Sequence, residues 1–327
     1  MTSGTALRFE PLENGLDYLV SAANLLAGQA NARDLKYAIL HLAAGIEVLL
    51  KARLQREHWT LILANVDSAT PAKYESGEFQ SISSETALRR LRDIAGIQIG
   101  DADFARVRAI LEKRNRLQHH GLIDSTEAVS SVAAQALDFL LTFVDRDLVH
   151  GATAESWQVM NASLDEVRAK LSNIKAFVRV RLDSISEHLD VASVLLQCPA
   201  CRQDAFALGE EPYCLFCLRR GDPEEVAEAY VEAILDQSHY LAVKEGGEWP
   251  VYECPECLHD ALVRGAISRR KTALSASSAA QWACFSCGQT WLLRELDFCT
   301  RCGKPMRSTL GELTVCQVCL DDVMRRE

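Results

Sequence analysis

The chain has 327 residues, 48% of them apolar, and a formal net charge of −10. That length exceeds one ordinary core and predicts two or three domains, while the acidic balance excludes a protein that coats nucleic acid non-specifically, so any nucleic-acid contact has to be local. No stretch reads as the ~20 apolar residues of a membrane span, and the start MTSGTALRFE has neither a basic n-region nor an apolar h-region, so the expectation is a soluble, cytoplasmic protein with no membrane partner.

Helices are predicted in order over Pro11 to Gln29, Asp34 to His58, Glu85 to Ala95, Asp103 to His120 and Ser125 to Leu148. The second has the clearest stripe: Leu35, Ile39, Leu42, Ile46, Leu49, Leu50 and Leu54 recur at three and four residues, the period of one buried helix face. Ser84 and Asp101 read as N-caps and Gly121 as a C-terminal stop. The stretch from Ala64 to Ser83, with Pro71, Gly77 and many polar residues, reads as a loop. From Ala154 to about Leu196 the pattern stays helical and predicts a connector packed on the first domain. Asp222 to Tyr240 opens with Pro223 and an acidic first turn and predicts a short helix between two cysteine clusters.

All twelve cysteines lie between Cys198 and Cys319, as six CxxC pairs: Cys198/Cys201, Cys214/Cys217, Cys254/Cys257, Cys284/Cys287, Cys299/Cys302 and Cys316/Cys319. A CxxC turn supplies two thiolates to one ion, and two such turns close a tetrahedron, so the set predicts three structural four-cysteine zinc sites. A redox dithiol explains one CxxC, not six without a βαβ context. Pairing in sequence order is expected; Cys284/Cys287 with Cys299/Cys302 is the alternative. CGQT and CGKP place a glycine after the second cysteine, where a knuckle turn needs positive φ. Four thiolates leave no open position, so hydrolysis at the metal is not expected. The region from Cys198 onward holds 14 basic against 20 acidic side chains. Its one basic run, Arg264 to Lys271, reads as a solvated hairpin tip, and Trp59, Trp282 and Trp291 read as packing residues. The expected organisation is therefore an α-helical bundle over 1–150, a helical connector over 151–197, a zinc ribbon over 198–221, a helical linker over 222–245, and ribbons over 246–295 and 296–327.

One further motif stands at the end of the fourth predicted helix, in LEKRNRLQHHG: Arg114 and Asn115 with His119, or with His120 one residue later. The same spacing class recurs at Arg53 to His58 and Arg181 to His188, so context has to choose. Two features favour Arg114: Glu47 and Lys51 lie one turn apart, away from the apolar stripe, and Thr86 to His120 carries eight basic residues against four acidic.

The AxGIExxLKxxL helix followed by RNxxxH at a helix end resembles the HEPN family of small helical-bundle domains, over roughly residues 10 to 150. The resemblance implies a metal-independent ribonuclease site formed where two subunits meet, with Arg114, Asn115, His119 and Glu47 catalytic and Lys51, Arg116 and His120 contacting RNA. It further implies a homodimer and a role of the toxin or anti-phage defence type; the ribbons lie outside the resemblance and are expected to recognise RNA or a protein partner. The competing expectation is a catalytically silent bundle that dimerises while the ribbons bind nucleic acid or protein; a transcription regulator ranks last, for want of a DNA-reading helix.

Overall fold

The computed structural model describes residues 9–28, 31–209, 211–246, 249–268, 280–308 and 314–325. It divides into two compact units, 1–183 and 184–327. The first is helical and the second is built from small antiparallel sheets and short helices, with the cysteines gathered in three groups.

In the first unit α1 (Pro11–Ala27) lies along α2 (Ala32–Glu57), and α2 in turn contacts α4 (Ser84–Asp93), α5 (Asp101–His119) and α6 (Thr126–Phe143). The predicted stripe of α2 is the centre of this bundle: Leu35, Ile39, Leu42, Ile46, Leu49, Leu50 and Leu54 are all buried. Local side chains set the helix starts, because the first backbone N–H groups lack partners inside the helix. Asn31 caps α2 by accepting from Arg33 and Asp34 N–H groups, and Ser125 caps α6 through Ala128 N. Two caps fall one residue earlier than expected. Ser83, not Ser84, accepts from Thr86 N, leaving Ser84 buried as the first residue of α4. Gly100, not Asp101, precedes α5, and the Asp103 carboxylate accepts from its N–H.

The stretch expected to be a loop contains a short helix, α3 (Pro71–Ser76). Its signals were local: Thr70 caps it, Pro71 takes the first turn, where a missing N–H costs nothing, and Gly77 ends it at φ 74. An isolated bridge between Leu63 and Ser81 closes the segment. α6 runs into a π turn at Val144–Val149. Thr126–Val149 is, among the described residues, long and apolar enough by length and composition to cross a membrane, contrary to the expectation that no stretch would be; its apolar side forms part of the bundle interior.

The connector does not stand as one element. α7 (Ala154–Leu171) packs on α1, and α8 (Lys175–Ser184) falls largely within the first unit. α9 (Ser186–Val191) belongs to the second unit, and Val194–Leu196 is β1, the first strand of the ribbon expected to begin at 198. β1 pairs with β2 (Phe206–Leu208), and β2 with β3 (Tyr213–Cys214). α10 (Pro223–Ile234) is more than a spacer, since Tyr230 is buried, its hydroxyl accepts from Ile267 N, and its ring lies 5.1 Å from that of Phe285. α11 (His239–Lys244) follows. The sheet β4 (Val251–Tyr252), β5 (Leu262–Ile267), β6 (Ala280–Cys284) and β7 (Thr290–Leu292) is a meander, and β8 (Leu296–Phe298) with β9 (Pro305–Arg307) is a hairpin; α12 (Gln317–Met324) follows. Trp282 and Trp291 face each other across β6 and β7 and are buried, as packing residues.

Candidate functional site

The sulfurs form three groups in sequence order: Cys198, Cys201, Cys214 and Cys217; Cys254, Cys257, Cys284 and Cys287; Cys299, Cys302, Cys316 and Cys319. Within each group all Sγ atoms lie within 4.8 Å of one another. The cross-knuckle separations are 3.8 and 3.7 Å in the first group, 3.8 and 3.7 Å in the second, and 3.7 Å for Cys302 to Cys316. A disulfide needs ~2.05 Å, whereas a tetrahedron with ~2.3 Å metal–sulfur bonds has edges of about 3.8 Å. The sulfurs therefore stand at the spacing of one tetrahedral ion per group and fit a metal.

The same local machinery builds five of the six knuckles. In the first, Cys198 N donates to Gln203 O and Arg202 N to Cys198 O; equivalent bonds close the turns at Cys214, Cys254, Cys284 and Cys299. The residue after the second cysteine is left-handed every time: Arg202 at φ 61, Leu218 at 59, Leu258 at 63, Gly288 at 71 and Gly303 at 72. Glycine marked two of these turns in the sequence, and the other three force a side-chain-bearing residue into the same conformation. The sixth pair is different: Cys316 is the N-cap of α12, Leu320 N donates to Cys316 O, and the knuckle is a helix turn.

Backbone N–H groups point at sulfur, from Cys217 to Cys214, Ser286 to Cys284 and Cys316 to Cys299. Such donors favour thiolate, the form a metal binds. The Cys299 thiol is held down at about 6 by the N–H groups of Cys316 and Cys302. In the second group S–H donation from Cys284 holds Cys254 at about 5, and the same contact pushes Cys284 well up.

In the first unit, α2 and α5 bring Glu47, Lys51 and Arg114 together. Lys51 Nζ lies 2.6 Å from Glu47 Oε1, and Arg114 Nη2 lies 3.8 Å from Glu47 Oε2. Ser81 Oγ accepts from Lys51 Nζ at 2.9 Å, and Gln118 Oε1 from Arg114 Nη1 at 3.4 Å. Neither Ser81 nor Gln118 was singled out in the sequence. Ser81 sits in the segment read as loop and is placed by its bridge to Leu63; Gln118 carried a usable signal, being one turn after Arg114.

The other motif residues lie elsewhere on α5. Asn115, Arg116, His119 and His120 are exposed, and the two imidazoles are 6.3 Å apart, without a hydrogen-bond partner among the described residues. α5 continues through His119, with His120 as its C-cap and Gly121 at φ 76. The helix therefore ends one residue too late to turn His119 toward Arg114: five residues of helix put them about 140° apart. The two decoy motifs are occupied otherwise. Arg53 pairs with Glu57 at 2.7 Å and His58 Nδ1 with Thr60 Oγ1 at 2.7 Å, while Arg181 is buried against Asp138. Arg264, at the start of the basic run, stacks over Trp282 and Phe298 at 5.6 Å each; Arg269, Arg270 and Lys271 lie outside the described residues.

The chain thus has three tetrahedral sulfur groups and one carboxylate bridging an ammonium and a guanidinium. Comparison with known proteins finds no matching family model, no matching curated protein and no matching solved structure.

Proposed function

We propose that the first unit is a HEPN-like bundle acting as a dimeric, metal-independent endoribonuclease, and that the three cysteine groups are structural zinc sites whose ribbons recognise RNA or a protein partner. The reading carries with it a role of the toxin or anti-phage defence kind. One observation supports it above others: Glu47, Lys51 and Arg114, named from two helices far apart in sequence, meet at one carboxylate.

The chemistry assigns each group a task. Cleaving RNA without a metal requires a base for the 2′-hydroxyl, an acid for the departing 5′-oxygen, and positive charge on the phosphate. Arg114 presents a planar fork to phosphate oxygens, Lys51 adds a second charge, and Glu47 holds both in place. His119 or His120 serves as the acid or base, since an imidazole can both take up and give up a proton. One imidazole cannot do both jobs at once, and His119 does not share a helix face with Arg114. In this reading the arginine of one copy therefore works with the histidine of the other. Four thiolates in a tetrahedron suit zinc and fill its shell, so the metal holds the ribbons together.

The test is incubation of purified protein with mixed RNA in chelator-containing buffer, beside Arg114→Ala, His119→Ala and His120→Ala, with the mass in solution measured in parallel. Cleavage by the wild type that disappears in Arg114→Ala and in one histidine variant supports the enzyme. Equal activity in all four proteins, or a monomer that cleaves, overturns it. A silent dimerising module with binding ribbons is the second reading, favoured by the Arg114 guanidinium already lying against Glu47 and Gln118. It predicts a dimer that binds its target but leaves RNA intact.

A further inference from the structure

The three sulfur groups are not equally protected. All four cysteines of the first are buried, and two of the second are. In the third only Cys299 is buried, Cys316 and Cys319 are partly covered, and Cys302 is exposed. The supports differ in the same order. Cys214 ends a strand of the first sheet and Cys284 a strand of the second, each locked by the next residue's N–H donating across the sheet: Leu215 to Ala205 O, and Phe285 to Ala261 O. Cys316 and Cys319 instead ride on α12, a helix with no buried residue. Its links to the β8–β9 hairpin are polar: Arg301 reaches Cys319 O at 2.7 Å and Asp322 at 2.8 Å, Thr300 N donates to Thr314 O at 2.8 Å, and the partly buried Cys316 N–H donates to Cys299 Sγ at 3.3 Å.

We propose that Cys302 and Cys316 are an oxidant-sensitive thiol pair, which a hydroperoxide converts to a disulfide that opens the third metal site while the first two stay closed. The proposal is independent of the Arg114 site. Thiol oxidation follows thiolate character and exposure, and Cys302 is the one exposed cysteine of the twelve. Its sulfur lies 3.7 Å from that of Cys316 on the opposite knuckle, so the two must approach by about 1.7 Å to bond. α12 can supply that movement because no buried side chain anchors it.

The step balances with hydrogen peroxide as oxidant. The Cys302 thiolate attacks one peroxide oxygen, the O–O bond breaks, and protonation of the departing hydroxide yields water and a sulfenic acid. The Cys316 thiolate then attacks that sulfur, the S–S bond forms, and hydroxide leaves as a second water after taking a proton. Two electrons pass from the sulfurs to peroxide. Cys299 and Cys319 alone remain to hold the ion, and two thiolates do not make a closed tetrahedral site.

The experiment treats the zinc-loaded full chain with graded hydrogen peroxide, follows released zinc with a chromogenic chelator, blocks remaining thiols with an alkylating reagent, and maps peptides by mass spectrometry. The expected result is release of one zinc per chain at a rate about tenfold above the rest, with the first cross-linked peptide joining Cys302 to Cys316. A thiol reductant with added zinc should restore the site. Cys302→His, which keeps a zinc ligand but removes the exposed thiol, should carry three zincs and lose this early phase. Simultaneous loss of all three metals, first oxidation in either of the other groups, or an unchanged early phase in Cys302→His overturns the proposal.

Discussion

Arg181 of α8 reaches Asp138 of α6 at 2.9 Å with both side chains buried, and Arg106 of α5 faces the other carboxylate oxygen at 3.7 Å. One carboxylate thus ties three helices of the bundle. A buried pair stabilises little beyond an apolar pair of equal volume, whereas half a pair leaves an uncompensated charge. Arg181→Met leaves the buried Asp138 carboxylate with the longer contact to the partly exposed Arg106, so it should destabilise the first unit by about 2–3 kcal/mol, and Arg181→Met with Asp138→Leu should recover most of that loss. Urea midpoints of the two variants check it; a single variant within about 1 kcal/mol of wild type contradicts the buried pair.

Gly288 has a backbone neighbour that Gly303 lacks. A Cβ on Gly288 would stand 2.5 Å from Gly209 O and 2.6 Å from its N, while one on Gly303 meets nothing within 4 Å. Both are left-handed, so Gly303→Ala should cost only the conformational penalty of about 1–2 kcal/mol. Gly288→Ala adds a backbone clash and should cost distinctly more, read as a lower denaturant midpoint for cysteine exposure. Equal effects would mean that the first two ribbons do not approach closely at Gly209.

Leu258 and Leu218 share the left-handed turn but not the burial, at 70% and 9% exposure. Leu258→Gly relieves backbone strain and gives up little apolar contact, so a gain of about 0.5 kcal/mol remains after the larger chain entropy of glycine. Leu218→Gly loses about 1.5–3 kcal/mol of buried side chain and should be net destabilising. Thermal unfolding of the zinc-loaded variants should move in opposite directions.

Metal removal should act on one unit. The bundle contains no cysteine, and its core of Leu35, Ile39, Leu42 and Ile46 closes without any ligand group. Metal analysis should find three ions per chain. Stripping them with a chelator should abolish near-ultraviolet signals from Trp282 and Trp291 while most helical signal persists. Loss of the helical signal in step with the metal would show that the bundle depends on the ribbons.

Much of this protein was legible without coordinates, and the legible part is local. Helix stripes repeat within four residues, caps act within three, and a CxxC turn carries its own geometry, so α1, α2, α5, α6, the six knuckles and their fitness to hold a metal follow from neighbouring residues. Even the errors there are small, as at Ser83 and Gly100, because several adjacent side chains can satisfy the same N–H groups. α3 shows no stripe, because six residues are too few to make a period.

What only the tertiary structure decided depends on where distant segments pass one another. Spacing left two pairings open for Cys284/Cys287, and the meander of β4 to β7 selects Cys254/Cys257 as their partner. The meeting of Glu47, Lys51, Ser81 and Arg114, the burial of Arg181, and the approach of Gly209 to Gly288 have no signature in any short window, since each is made by two chain segments whose separation is set by the packing of everything between them. The left-handed turns at Arg202, Leu218 and Leu258 are by contrast local to their CxxC knuckles, although no preference of arginine or leucine for that conformation marks them.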